Sequence, residues 1–275
     1  MVSTKVDMAS HIALMDRIQN LGEREVARMA SLSLPQAGAW LNCPPLPALG
    51  LHLRGSEFVV AARFRLGISI YNKEGKCPAC GADSDIMGDH GLVCGTGGER
   101  IARQNALRDA IHDTAASAGL APRKEGRALL PGTNQRPADI FIPGWAGGRD
   151  AALDVTWVTI TSNATPSSLA QGLGPPSSQA TAAYKEKMRV TADQCDQQGI
   201  AFIPVVAESL GGWHKVGLEQ LRKLGSALAR FTGQEEGETI SHILTRASVL
   251  LQKGLSALLL NRIPCHPTPA IGGTL

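Results

Sequence analysis

Four strong metal ligands crowd into eighteen residues of this chain, and that cluster constrains the fold more than any other feature. Cys77-Pro-Ala-Cys80 is followed after nine residues by His90 and after three more by Cys94. A CxxC turn presents two thiolates to one ion, and four nitrogen and sulfur donors suit tetrahedral zinc. The intervening segment is rich in Gly and Asp and poor in apolar side chains, so metal binding has to supply its folding energy. Four protein ligands leave no open coordination position. The zinc is therefore expected to be structural; the alternative is a set of free buried thiols. The spacing is longer than that of the short retroviral knuckle. Cys43, Cys195 and Cys265 are scattered, which argues for metal in a reducing compartment over a disulfide framework. Asp89 either orients the His90 imidazole or remains solvated.

Of the 275 residues, 43% are apolar and 19% charged, the composition of an ordinary soluble globular chain with room for one sizeable core and a smaller satellite. Aromatics at 4% argue against a base-stacking platform. The net charge of +3 permits nucleic-acid binding without demanding it, but its distribution is uneven. Arg54, Arg63, Arg65, Lys73 and Lys76 precede the cysteine cluster, and Arg100, Arg103, Arg108, Arg123, Lys124 and Arg127 follow it. Such a zone suits phosphates, the alternative being a solvated helical face. Residues 1–30 contain no apolar run of the signal-peptide kind. Residues 246–263 are interrupted by Gln252, Lys253 and Gly254, and fit an amphipathic helix better than a membrane span.

The pattern of elements predicts an α/β protein. Residues 5–32 read as a helix, and 56–69 as another, capped by Ser56 and stopped by Gly67. Helical periodicity runs through 99–118, with Gly119 at the stop position. Strands are expected at 123–130, 138–142 (closed by Pro143) and 151–160, the last two joined by a turn at 144–148. Residues 162–178 are a low-complexity loop of Ser, Thr, Gly and Pro. A helix at 179–198, an apolar strand at 201–206 and helices at 216–231 and 240–261 complete the chain. From Glu99 to Ala207 the order is α-β-β-β-α-β.

Asp139 opens the second of these strands and Asp154 lies in the third. Neighbouring strands can bring such carboxylates within a few ångströms, and like charges that close call for a cation between them. Mg²⁺ or Mn²⁺ is the expected ion, and with it the chemistry of phosphodiester hydrolysis. Without further support, two strand aspartates are ordinary surface residues.

The run Pro-x-Asp … Asp-x-Thr within α-β-β-β-α-β resembles the PD-(D/E)xK nuclease superfamily. More closely, the cysteine finger followed by RPADIFIPGW and AALDVTWV is similar to the restriction-like endonuclease region of non-LTR retrotransposons, where such a finger precedes the nuclease that nicks target DNA. GAWLNCPPLPALGLHL upstream and GIAFIPVVAESLGGW downstream extend the likeness over about Gly38 to Trp213. The resemblance implies a restriction-endonuclease-like core and a Mg-dependent DNA endonuclease, with Asp139, Asp154 and the Val155 carbonyl as metal ligands and products bearing a 5′-phosphate and a 3′-hydroxyl.

One position departs from the superfamily pattern: Thr156 stands where a lysine is usual. A lysine can instead arrive from the following helix. Lys185 and Lys187 are two apart and so point about 200° from each other. Lys187 shares the stripe of Ala180, Tyr184, Thr191 and Cys195, so Lys187 is expected to face the site and Lys185 to face solvent. A snorkelling lysine at the helix edge is the alternative. Glu125 and Glu208 are placed where acids accompany such sites, though solvated or capping roles suit them better. Arg100, Arg103 and Lys124 are candidates for phosphate contact, and Trp157 and Trp213 for the core. The expected organisation is a helical region at 1–75, the zinc finger at 76–97, the nuclease core at 98–235 and a C-terminal helix and tail at 236–275. The expected partner is DNA, with RNA as a variant of the same chemistry, in an intracellular and nuclear setting. Two competing readings are a catalytically inactive nucleic-acid-binding protein on the same fold, and a zinc-stabilised scaffold for protein partners.

Overall fold

The computed structural model describes residues 22–125, 129–130, 137–160 and 179–265, together with Ser10, Ala13 and Arg17. The predicted loop at 162–178, and most of the helix predicted before residue 22, lie outside these. Among the described residues from Gly22 onward the α-helices are α1 (Glu23–Leu32), α2 (Gly55–Leu66), the short α3 (Asp89–Val93), α4 (Glu99–Ser117), α5 (Gln179–Asp196), α6 (Lys215–Thr232) and α7 (Glu236–Leu260). Two strands, β1 (Gly75–Lys76) and β2 (Asp83–Ser84), pair within the cysteine segment. Four more, β3 (Arg123–Lys124), β4 (Ile140–Ala146), β5 (Arg149–Val158) and β6 (Ala201–Glu208), form one sheet in the order β3-β4-β5-β6.

The chain is thus mixed α/β, and α4 to β6 run α-β-β-β-α-β. β3, β4 and β5 are an antiparallel meander, while β6 returns parallel to β5 after the α5 crossover. Both faces of β5 are covered, and its alternation sorts side chains between two cores. Ala151, Leu153, Val155 and Trp157 join Leu107, Ile111, Leu218, Leu221 and the leucines of α7. Ala152 joins Cys195, Phe202 and Phe141, with Met188 and Ala192 of α5 packed against them. Asp154 and Thr156 share this second face by the period-two rule. Pro204 sits in β6 without disrupting the sheet because β6 is an edge strand.

Several element boundaries differ from expectation for local reasons. Ser56 is not the cap of α2; Arg54 holds that position, and the Glu57 carboxylate accepts its backbone N–H at 2.7 Å. β3 is only two residues long because Glu125 adopts φ 48°, outside the extended region. Pro143 does not close β4, which resumes pairing at Ala146 after a register shift. Gly67 and Gly119 do stop their helices, with φ of 68° and 73°.

α7 is long and apolar enough to cross a membrane by length and composition. Here Leu251, Leu255, Leu258 and Leu259 are buried in the main core, and Ser256 Oγ donates to the Glu57 carbonyl at 2.8 Å. It packs against α2, α4 and α6.

Candidate functional site

The cysteine segment closes on itself. The ligand atoms of Cys77, Cys80, His90 and Cys94 all lie within 4.8 Å of one another, an arrangement that fits a zinc-like ion. Cys77 Sγ and Cys94 Sγ are 4.0 Å apart, and Cys80 Sγ is 3.2 Å from His90 Nε2. Asp85 fixes the backbone at the start of α3, its carboxylate accepting the backbone N–H groups of Asp89 and His90 at 3.1 and 3.0 Å. Asp89 takes neither of its expected roles. It receives the Arg24 guanidinium through both oxygens, at 2.6 and 3.0 Å, which ties the finger to α1.

The other side of the finger is fastened to the end of α7. A Cβ at Gly88 would lie 2.7 Å from Leu259 Cδ2, so the glycine, at φ 80°, lets the Leu259 side chain pack directly on the finger's backbone. Lys76 and Cys265 exchange backbone hydrogen bonds at 3.0 and 2.9 Å. The fully buried Arg262 pairs with Glu99 at 2.9 Å and donates to the Thr96 carbonyl. Burial alone would raise the Cys94 thiol, but the Arg262 guanidinium, the Thr96 N–H and the neighbouring thiols bring it down to about 6. A cysteine so poised is a ready thiolate ligand.

The second constellation lies at the end of β4. Asp139 Oδ2 accepts the Val155 N–H at 2.8 Å, which carries its carboxylate across to β5 beside Asp154. Burial, followed by the negative charge of Asp154, pushes the Asp139 carboxyl above its usual range. Lys187 arrives from α5 with Nζ 2.9 Å from Asp154 Oδ2 and 3.1 Å from Oδ1. Thr156 Oγ1 donates to the same carboxylate at 3.0 Å. Lys185, two residues earlier, is exposed. The two aspartates and Lys187 therefore converge. Two half-buried carboxylates this close raise one pKa even with the Lys187 ammonium beside them, an arrangement that suits a hard divalent cation.

Two residues missed in the sequence come from α4. Gln104 Nε2 donates to the Val155 carbonyl at 3.0 Å. Arg108 bridges Glu125 at 3.3 Å and Asp109 at 2.9 Å, and its charge lowers the Asp139 pKa. Their spacing of four places them on one helical face, a signal that carried no meaning until the site's location was known.

Other expected site residues do not join the constellation. Arg103 is a correction: it is 8% exposed, with its guanidinium 3.8 Å over the Trp157 ring, so it does not present itself to a phosphate. Desolvation, with Arg100 nearby, lowers its pKa to about 9, and its Nη1 is buried without a partner among the described residues. Arg100 is exposed and donates to the Val93 carbonyl at 3.4 Å. Lys124 pairs with Asp109 at 3.0 Å. Glu208 is fully buried, and its Oε1 accepts the Ala180 N–H at the start of α5 at 2.7 Å. Trp213 and Trp157 are buried.

Comparison with known proteins finds no matching family model and no significantly similar curated protein.

Proposed function

We propose that this chain is a metal-dependent DNA endonuclease on a restriction-like core, related to the target-nicking nuclease of non-LTR retrotransposons. The observation that carries the reading is the meeting of Asp139, Asp154 and Lys187 from three separate elements. The α-β-β-β-α-β order and the parallel return of β6 support it.

A Mg²⁺ or Mn²⁺ ion held by Asp139 and Asp154 would polarise the phosphodiester and acidify the attacking water. Lys187 keeps the ammonium group at the site although Thr156 fills the customary lysine position. Its Nζ protons are placed to orient the nucleophile and to offset the charge that develops on the phosphate. Asp139, held by the Val155 N–H, keeps its second carboxylate oxygen for the cation. The finger, tied to α1 by Arg24 and to the end of α7 by Arg262, and the exposed Arg100 would steady the duplex through its backbone, leaving sequence to be read elsewhere.

One observation favours a second reading, an inactive nucleic-acid-binding protein. Lys187 and Thr156 already satisfy Asp154, so the carboxylate pair is tolerable without a cation. Plasmid nicking in Mg²⁺ or Mn²⁺ separates the two. The endonuclease predicts nicking by the native protein and none by Asp154→Ala, whereas equal behaviour of both removes the enzyme.

A further inference from the structure

The backbone N–H and carbonyl of Val155 are both held by side chains where a sheet would ordinarily use backbone. Asp139 N donates to the Leu153 carbonyl at 3.0 Å. Two residues further along this antiparallel pair, the donor facing the Val155 carbonyl would be residue 137. That residue is Pro137, which has no N–H. The proline thus leaves the Val155 carbonyl without a strand donor, and the Val155 N–H, which projects from the same edge of β5, goes to a side chain as well. The Asp139 carboxylate takes the N–H at 2.8 Å, and the Gln104 amide takes one lone pair of the carbonyl at 3.0 Å. A carbonyl oxygen has two lone pairs, so a second remains for another electropositive group.

We propose that Gln104 is a positioning residue that fixes the Val155 peptide, so that its carbonyl and the carboxylates of Asp139 and Asp154 form one oxygen face for the divalent cation. This rests on the reading of the carboxylate pair as a cation site. Without the Gln104 amide, the Val155 carbonyl loses the donor that holds it on the β4 edge of β5, and only the pairing of β5 with β6 on the opposite edge limits its tilt toward water. Loss of an outer hydrogen bond of this kind costs about 10–100-fold in metal affinity. Arg108, one turn further along α4, acts on the same corner by pairing with Glu125, whose N–H donates to the Asp139 carbonyl at 2.9 Å.

The test uses the full chain with zinc retained. Mn²⁺ affinity is measured by calorimetry, and exchange of the Val155 amide by hydrogen–deuterium exchange in the absence of Mn²⁺. Gln104→Leu is expected to weaken Mn²⁺ binding about tenfold or more and to speed Val155 exchange. Adding Pro137→Ala, which restores a ladder N–H opposite the Val155 carbonyl, is expected to recover part of both. Wild-type Mn²⁺ affinity and wild-type exchange in Gln104→Leu would overturn the inference. Tighter Mn²⁺ binding by Gln104→Glu would also overturn it, since the side chain would then be a ligand in its own right. If Asp154→Asn binds Mn²⁺ as well as the native protein does, the cation-site reading itself fails. That result is distinct from one in which Asp154→Asn loses binding and Gln104→Leu keeps it.

Discussion

Lys187 Nζ lies 2.9 Å from Asp154 Oδ2, joining the middle of α5 to the middle of β5 across the second face of the sheet. The side chain of Lys187 is 40% exposed and that of Asp154 16%, so the pair sits at an opening and not within a sealed core. An ion pair this accessible stabilises little. Its placement between a carboxylate pair and solvent is better explained by chemistry than by folding.

Replacing Lys187 by Met should therefore leave the melting temperature close to native and lower nicking by about a hundredfold to a thousandfold. Lys185→Met, on the exposed side of the same helix, should nick at the native rate. Single-turnover cleavage of plasmid in Mn²⁺ checks both, and equal losses from the two variants would assign the effect to general charge.

Asp139 carries a cost in the metal-free protein. Its folded pKa is raised, so the native state holds that proton more tightly than the unfolded chain does. The associated stability is fully present below the unfolded value of 3.8 and is lost as pH rises through the higher folded value. At neutral pH Asp139→Asn should thus melt higher, by about 2–4 °C for each kcal/mol regained, and the gap should narrow as pH falls toward 4. Saturating Mn²⁺ should reverse the order. A ligand at a hundred times its Kd adds about 2.7 kcal/mol to the native protein and nothing to a variant that cannot bind it.

Zinc should be present at one ion per chain, measurable by elemental analysis. Its removal, by chelation or by Cys80→Ser, should release more than the finger, because Arg24 and Arg262 connect that segment to α1 and α7. Trypsin should then cut at Lys73 and Lys76, and protection should also fall at the end of α7. Arg262→Met should reproduce the α7 effect with zinc initially bound, at a cost of about 1–3 kcal/mol for the charged hydrogen bonds that Arg262 makes to Glu99 and to the Thr96 carbonyl.

Arg103→Met tests the burial of that guanidinium against Trp157. Exchange of an uncompensated buried cation for an apolar side chain of similar length should leave stability unchanged or raise it by about 1 kcal/mol, the lost contact with Trp157 being offset by desolvation no longer incurred. The salt dependence of DNA retention should not change. Arg100→Gln should reduce that slope by about 0.9, the loss of one phosphate contact.

The cysteine–histidine cluster was legible in the sequence because its four residues are close along the chain, and the geometry of a CxxC turn is local. So was the order of elements, since the period-two alternation of residues 151–157 and the leucine spacing of α7 are local patterns as well. The helical period also separates Lys187 from Lys185, a contrast fixed by 3.6 residues per turn. Tertiary structure decided everything that depends on which faces meet. It buried Arg103 against Trp157, turned Glu208 into a cap for α5, and gave Asp89 to Arg24 instead of His90. It also brought Gln104 to the Val155 carbonyl across 51 residues of chain. Periodicity tells a side chain which way to point relative to its own element. Only the packing of that element on its neighbours supplies the charge, ring or carbonyl it will meet.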